Sequence, residues 1–206
     1  MKPVLKFPSF PTHFQCARSE GWHPKEIAQY ERAENALPYV KSWDVAIDVG
    51  ANMGTWSYAF AHLFATVHAF EPGKESYTVA VHNLAPFSNV IVHQAALFNQ
   101  DGEGTMERAA FEYLSFGTGD TEVRTLDSFD LPSCGLLKID AEGADYFVLR
   151  GARRTIKRHA PVIIVEEKED IVDRYDLPRR AVYNVLDSFG YTRVWAHSPD
   201  AIYVHE

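Results

Sequence analysis

The sequence predicts an α/β fold built on a mostly parallel sheet, and three observations carry that prediction. Short apolar or β-branched runs alternate with amphipathic stretches of helical period from residue 45 to residue 190. A glycine-bearing turn, Asp48-Val49-Gly50-Ala51-Asn52-Met53-Gly54, joins the first run to the amphipathic stretch after it. Strand, glycine turn and helix in that order bring backbone close to a nucleotide-like ligand. Glu71 ends the second run, seventeen residues after Gly54, where a carboxylate can accept hydrogen bonds from a ribose diol.

The elements follow in chain order. Pro3, Pro8 and Pro11 make residues 1–20 irregular. A helix is expected over 24–39, with Ile27, Tyr30, Ala33 and Leu37 on one face. The chain thus divides into an irregular segment plus helix, 1–40, and a main domain, 41–206. Strand Val45–Val49 leads to a helix over 55–64 carrying Trp56, Ala59, Phe60, Leu63 and Phe64. Strand Thr66–Phe70 leads to a helix over 74–84, with Tyr77, Ala80, Val81 and Leu84 on one face.

After strand Val90–His93, residues 95–123 break the pattern. Gly102, Gly104, Gly117 and Gly119 mark them as extended pieces or loops. A strand over 135–140 precedes a helix containing Tyr146, Phe147, Leu149, Ala152 and Ile156. The nearly all-β-branched run 161–166 reads as a strand buried on both faces. Pro178 starts and Gly190 stops the last helix, the expected asymmetry. Strands 191–196 and 201–204, flanking His197-Ser198-Pro199-Asp200, form an antiparallel hairpin.

Bulk properties narrow the function classes. A chain of 206 residues can bury a sizeable core, and no apolar run approaches the roughly 20 residues that cross a bilayer. The first 14 residues hold no continuous apolar region of the signal-peptide type. Cys16 and Cys134 lie far apart, as free thiols in a reducing cytoplasm would, and Cys134 reads as a buried structural thiol. A net charge of −8 disfavours nucleic acid as a partner. The basic run Arg150 to His159 complements a helix C-terminus.

The glycine turn narrows the ligand. A dinucleotide site wants Gly-x-Gly-x-x-Gly, whereas Gly50-x-x-x-Gly54 lacks the third glycine. Asp48 would also face a diphosphate unfavourably. A ligand with an ammonium and no phosphate, such as S-adenosylmethionine, suits Asp48 better, with Glu71 on its ribose hydroxyls. A tight turn without a ligand is the alternative. Asp140 and Glu142 leave the end of the 135–140 strand, where ligands of open α/β sheets gather. Clustered carboxylates raise one another's pKa, so one can serve as a general base. Helix capping by Asp140 and Glu142 is the alternative there. Glu166, at the end of the next strand, is a third candidate base.

Four segments together carry a family resemblance: Asp48-Val-Gly-Ala-Asn-Met-Gly54, Ala69-Phe-Glu-Pro72, Leu137-Lys-Ile-Asp-Ala-Glu-Gly-Ala-Asp145 and Leu149-Arg-Gly-Ala152. In this order and spacing the chain resembles the FkbM-type methyltransferases, from about residue 44 to 166. The resemblance implies a Rossmann-like class I methyltransferase fold. Its seven-stranded, mostly parallel sheet would have the third strand at one edge and the antiparallel C-terminal hairpin at the other. It implies S-adenosylmethionine bound by Asp48, Gly50, Ala51, Asn52, Met53, Gly54, Glu71, Pro72, Gln94 and Asp140, with Gln94 at the adenine and Asp140 at the ammonium or reacting centre. It also implies methyl transfer to a hydroxyl oxygen of a small molecule, sugar or glycan; the strand-end positions of Glu142, Asp140 and Glu166 make these the candidate bases.

The alternatives are N-methylation, a macromolecular acceptor, or an S-adenosylmethionine-binding protein without catalysis. The nucleobase-methylating Asn/Asp-Pro-Pro-aromatic motif is replaced by Asp140-Ala-Glu-Gly143, and no Pro-Cys nucleophile occurs. The nine histidines have no metal-ligand helical spacing. A divalent cation would therefore rest on the acidic strand ends and the run 166–170. Trp22 and Phe111 to Leu114 lie in regions outside the motifs, and they read either as an acceptor lid or as ordinary packing. Oligomeric state is not legible.

Overall fold

A computed structural model describes residues 6–9, 11–15, 30–31, 33–108, 112–167 and 175–206. Chain order gives β1 (Val45–Val49), α1 (Thr55–Ala61), β2 (Thr66–Phe70), α2 (Lys74–Leu84), β3 (Val90–His93) and β4 (Ala96–Leu97). Next come β5 (Gly102–Arg108), β6 (Glu112–Gly117), β7 (Thr121–Arg124) and β8 (Leu136–Ile139). The chain ends with α3 (Asp145–Gly151), α4 (Arg153–His159), β9 (Val162–Glu166), α5 (Ala181–Ser188), β10 (Tyr191–His197) and β11 (Asp200–His205).

The main sheet has seven strands in the order β10-β11-β9-β8-β1-β2-β3. Only β11 runs against its neighbours, so β3 and the C-terminal hairpin occupy the two edges as the resemblance implies. β1, β8 and β9 are buried along their whole length, which their continuous apolar composition demands. Alternation divides the core. Val45, Ile47, Val49, Leu137, Ile139, Ile163 and Val165 face α3, α4 and α5. Ala46, Val67, Leu136, Ile164 and Ile202 face α1 and the N-terminal residues Phe7, Tyr30, Ala36 and Leu37. The second face carries the site.

Several expected elements change in detail. The described part of the helix expected over 24–39 is mainly a 3-10 helix, Ala33–Tyr39, with Pro38 inside it. Proline gives no N–H to an α-helical ladder. Ile27 and Trp22 lie outside the described residues. α1 stops at Ala61, three residues early. α5 begins at Ala181 rather than at Pro178, because Arg180 sits at φ 61. The helix expected after Gly143 is two, α3 and α4. Gly151 ends α3 where a Cβ would lie 1.9 Å from the Phe98 carbonyl oxygen, so only glycine allows that helix to approach the chain after β4 so closely.

The extended pieces expected within residues 95–123 are β4 to β7, and they pair as a second sheet ordered β4-β7-β5-β6. Its glycines conceal the pattern: a Cβ on Gly104 would collide with Leu114 and the Ser115 carbonyl. An aromatic stack fastens this sheet to the main body. Phe98 lies face to face with Phe147 at 4.4 Å and with Phe116 at 5.2 Å, and the Tyr175 hydroxyl donates to the Leu114 carbonyl at 2.6 Å. The candidate lid at residues 111–114 is thus, from residue 112 on, edge strand β6, with Leu114 buried; Phe111 lies outside the described residues. Among the described residues no helix is long and apolar enough to cross a membrane.

Phe98→Ala removes the centre of the stack. It is expected to cost about 3–5 kcal/mol in denaturant unfolding and to raise amide exchange in β5–β7 before the main sheet. Uniform exchange across both sheets would show that the inserted sheet is not held by this contact.

Candidate functional site

The chain leaves β1 for β2 and β3 on one side and returns through β8 on the other. Such a reversal opens a crevice above the carboxyl ends of β1 and β8. Gly50 forms its floor at φ +72, where a Cβ would lie 1.9 Å from the Asp140 carbonyl oxygen. The two loops pack backbone to backbone, and no other residue fits between them. Gly50 and Ala51 both donate N–H to the Phe70 carbonyl at 3.0 Å. Gly54, at φ +89, begins α1 against Leu84. Met53 is buried beneath the turn.

Glu71 is oriented by two amides: Asn52 N–H reaches Oε2 and Gly73 N–H reaches Oε1, both at 2.8 Å. Asn52 takes φ 50 to present that N–H, and its side chain is exposed. Pro72 is half-buried beside Glu71, and Gln94 is exposed just beyond β3. Gly50 to Gly54, Glu71 and Gln94 thus follow the carboxyl ends of β1, β2 and β3 in turn.

Asp48 has a different position from the one its place in the turn implies. Its carboxylate is fully buried. Ser57 Oγ donates to Oδ2 at 2.7 Å, and Lys138 Nζ lies 3.1 Å from Oδ1. The second contact is a buried ion pair. Lys138 also donates to the Val49 carbonyl at 3.1 Å and the Gly50 carbonyl at 2.8 Å. Burial works to discharge Lys138, but Asp48, Asp140 and Glu166 outweigh it and hold the ammonium above its ordinary range. Asp48 bears on the crevice through Lys138, which it holds in place and which pins the end of β1.

Lys138 stands inside a quoted motif, yet the motif alone assigns it no role. The signal was present: a lysine inside an otherwise apolar strand, in register with Asp48 on β1. The register yields more. Lys138 pairs with Ile164 and Ile164 with Ile202. One step towards the carboxyl ends, on that same face, lie Gly50, Asp140, Glu166 and Asp200, with Glu166 and Asp200 direct partners. At this level Asp140 follows β8, Glu166 ends β9 and Asp200 begins β11. Asp140 Oδ1 is buried and has no hydrogen-bond partner among the described residues. Glu166 and Asp200 are each only 6% exposed.

Glu142 stands beside this row, at φ 49 in the loop between β8 and α3. Asp145 shapes that loop by accepting N–H from Ala141 at 3.0 Å and Gly143 at 3.1 Å. Neither Asp140 nor Glu142 caps α3, which begins at Asp145. A cleft of about 540 Å³ opens here, with Gly143, Asp145, Glu166 and Asp200 on one side and Tyr146 and Tyr183 among its other walls. Among the described residues no group of three or more His, Cys, Asp or Glu is arranged to hold a metal ion.

Lys138→Met would leave Asp48 buried without its counter-charge. The expected loss in denaturant unfolding is about 3–5 kcal/mol, partly recovered by adding Asp48→Asn. A loss below about 1 kcal/mol would show that the pair is dispensable. Asp145 yields a pH signature. Burial, with the Asp140 charge, lifts its carboxyl to about 6 against the pull of the amides. The folded chain then keeps a proton that the unfolded chain has released, so this stability is present at low pH and lost as pH rises to about 6. Asp145→Asn should flatten that slope, worth on the order of 2–3 kcal/mol; identical slopes in both proteins would refute the assignment.

Comparison with known proteins bears on the family and the fold. The FkbM methyltransferase domain matches residues 48–192. A crystal structure of methyltransferase FkbM from Methylobacillus flagellatus KT is 20% identical with a TM-score of 0.60, covering 79% of this chain and 43% of that one. The present chain therefore spans about two fifths of that protein's length. Precorrin-6y C5,15-methyltransferase from Geobacter metallireducens GS-15 is 16% identical with a TM-score of 0.52, over 98% and 97% of the two chains. SMU.1697c, a putative methyltransferase from Streptococcus mutans in complex with SAH, is 13% identical with a TM-score of 0.50, over 88% and 96%. A search of curated protein sequences finds no match. At these identities the structures speak for the fold alone, whereas the domain match covers most of the chain and includes the glycine turn, Glu71 and the row from Lys138 to Glu166: the chain belongs to the FkbM methyltransferase family.

Proposed function

We propose that this chain transfers a methyl group from S-adenosylmethionine to a hydroxyl oxygen of a small molecule, sugar or glycan. The observation that carries the reading is the crevice between Gly50 and Glu71: a floor with no room for a side chain, facing a carboxylate held by the Asn52 and Gly73 amides. Asp140 adds a buried oxygen without a partner among the described residues, which fits an ammonium donor. S-adenosylmethionine, when bound, supplies a methyl carbon already activated by a sulfonium.

The roles follow from position. Glu71 takes the ribose hydroxyls, the 50–54 backbone receives the methionyl part, Pro72 and Gln94 border the adenine, and Asp140 receives the ammonium. The remaining work is alignment and removal of the acceptor's proton. Glu166 is the base favoured here, because it lines the cleft and follows Val165, the register partner of Ile139; Glu142 and Asp140 are the other candidates. The cytoplasm is the proposed compartment.

Calorimetric titration tests the donor. S-adenosylhomocysteine should bind and NAD should not. Glu71→Gln should weaken binding about 10–100-fold, the value of a hydrogen bond to a charged acceptor, and Gly50→Ala should abolish it. NAD binding without S-adenosylhomocysteine binding would sink the proposal. Turnover against hydroxyl, amine and macromolecular acceptors then separates O-methylation from its alternatives. Glu166→Gln should remove turnover while cofactor affinity stays unchanged.

A further inference from the structure

The cleft that Glu166 lines has a second wall with a different chemistry. Arg180, Tyr183 and Arg193 line it together with Glu166, Glu167 and Asp200. The Arg180 guanidinium carbon lies 4.2 Å from the centre of the Tyr183 ring, and that of Arg193 lies 5.5 Å from the same centre. Arg180 precedes α5 at φ 61, and Tyr183 stands in the first turn of that helix. Arg193 is the register partner of Tyr203, on the face of the sheet that α3 and α5 cover. Two cations thus gather about one ring on one wall of the cleft.

Their charges are balanced unequally. Arg193 donates from Nη1 to Glu167 Oε2 at 2.9 Å, and the Tyr203 hydroxyl donates to Glu167 Oε1. Glu167 is occupied on both oxygens, and Arg193 is matched. Arg180 meets no carboxylate within ion-pair distance among the described residues. Of the other acids on the cleft, Asp145 accepts from the Ala141 and Gly143 amides. Glu166 and Asp200 are register partners on the opposite face, that of Ile164 and Ile202. Asp176, on the loop before α5, does not line the cleft. Lys168, Glu169, Asp170, Asp173 and Arg174 lie outside the described residues. Among the described residues the cleft is therefore acidic at the strand ends and carries one unmatched cation, Arg180.

A guanidinium that meets an aromatic ring through its face keeps its edge N–H donors for an oxyanion. The ring also holds the cation in place before a ligand arrives, which lowers the cost of binding. We propose that the methyl acceptor carries an oxyanion group, a carboxylate or a phosphate, and that Arg180 receives it while the hydroxyl to be methylated lies towards Glu166. The inference rests on the methyltransferase reading above and gives it an acceptor class: a hydroxy acid or a phosphorylated alcohol or sugar, not a neutral one. An anionic end at Arg180 stays apart from the like charges at the strand ends. Anchoring that end fixes which hydroxyl of the acceptor is presented. Arg193, matched by Glu167, steadies the Tyr183 platform and adds little net charge.

The full chain with isotope-labelled arginine is titrated with acetate, inorganic phosphate and neutral glycerol at constant ionic strength, with and without S-adenosylhomocysteine. The arginine Nε–H signals are followed by NMR, and the Arg180 signal is the one missing from Arg180→Met. It should shift saturably with acetate or phosphate and not with glycerol, and the anion that saturates it at lower concentration identifies the group. A shift that never saturates, or one matched by Arg179, which does not line the cleft, would overturn the proposal. With any acceptor that turns over, the same anion should inhibit competitively against the acceptor and not against S-adenosylmethionine. Arg180→Met should weaken that inhibition about tenfold or more, and Arg179→Met should leave it in place. Inhibition of equal strength in Arg180→Met would overturn the assignment too. S-adenosylhomocysteine binding without an anion response sinks only the acceptor class. An anion response without S-adenosylhomocysteine binding sinks only the methyltransferase reading and leaves Arg180 as an anion site.

Discussion

The contact between Asp48 and Lys138 is the constraint on which the site depends. Neither charge reaches water, and each would be very costly alone in the sheet interior. Together with Ser57 they form a compensated unit whose remaining donors go to the Val49 and Gly50 carbonyls. Those carbonyls lie where β1 stops and the glycine turn begins. Lys138 thus ties the turn to the neighbouring strand from beneath, while Gly50 packs on the Asp140 backbone from above. Rigid elements hold both loops before any ligand arrives, the arrangement that keeps the cost of binding low.

Charge is ordered outward from that unit. The pair itself is neutral. The next row towards the carboxyl ends is acidic, with Asp140, Glu166 and Asp200 on successive strands. Asp145 stands behind it, spending its carboxylate on the Ala141 and Gly143 amides and so fixing the loop that carries Glu142. The chain has net charge −8, and part of that excess is concentrated where a cationic ligand would be received. Electrostatic attraction in such a low-dielectric crevice is stronger than at the surface.

The inserted sheet explains how this edge of the molecule is walled. It enters between β3 and β8 and packs Phe98, Phe116 and Leu114 against Phe147 and Tyr175. Those partners lie on α3 and just before α5, the elements that flank the cleft. The insertion is thereby part of the body that shapes the cleft, not a separate appendage.

Sequence alone determined the parallel core strands, the glycine turn with Glu71, and the family. Each of these is a local pattern, set by the period of apolar residues or by a backbone shape that only glycine adopts. It also singled out Asp140, Glu142 and Glu166, since ligands in such sheets gather at strand ends. Only the tertiary structure decided that Asp48 turns inward to Lys138, that Asp200 stands opposite Glu166, that Asp145 builds the loop, and that residues 95–123 pair into a sheet. These depend on which strands become neighbours and in what register. Partners such as Asp48 and Lys138, 90 residues apart, leave no local period to read. The glycines of the inserted strands erase the alternation that would have betrayed them. Long-range pairing is settled by burial summed over the whole chain, so the residues that meet across strands become legible only once the sheet has formed.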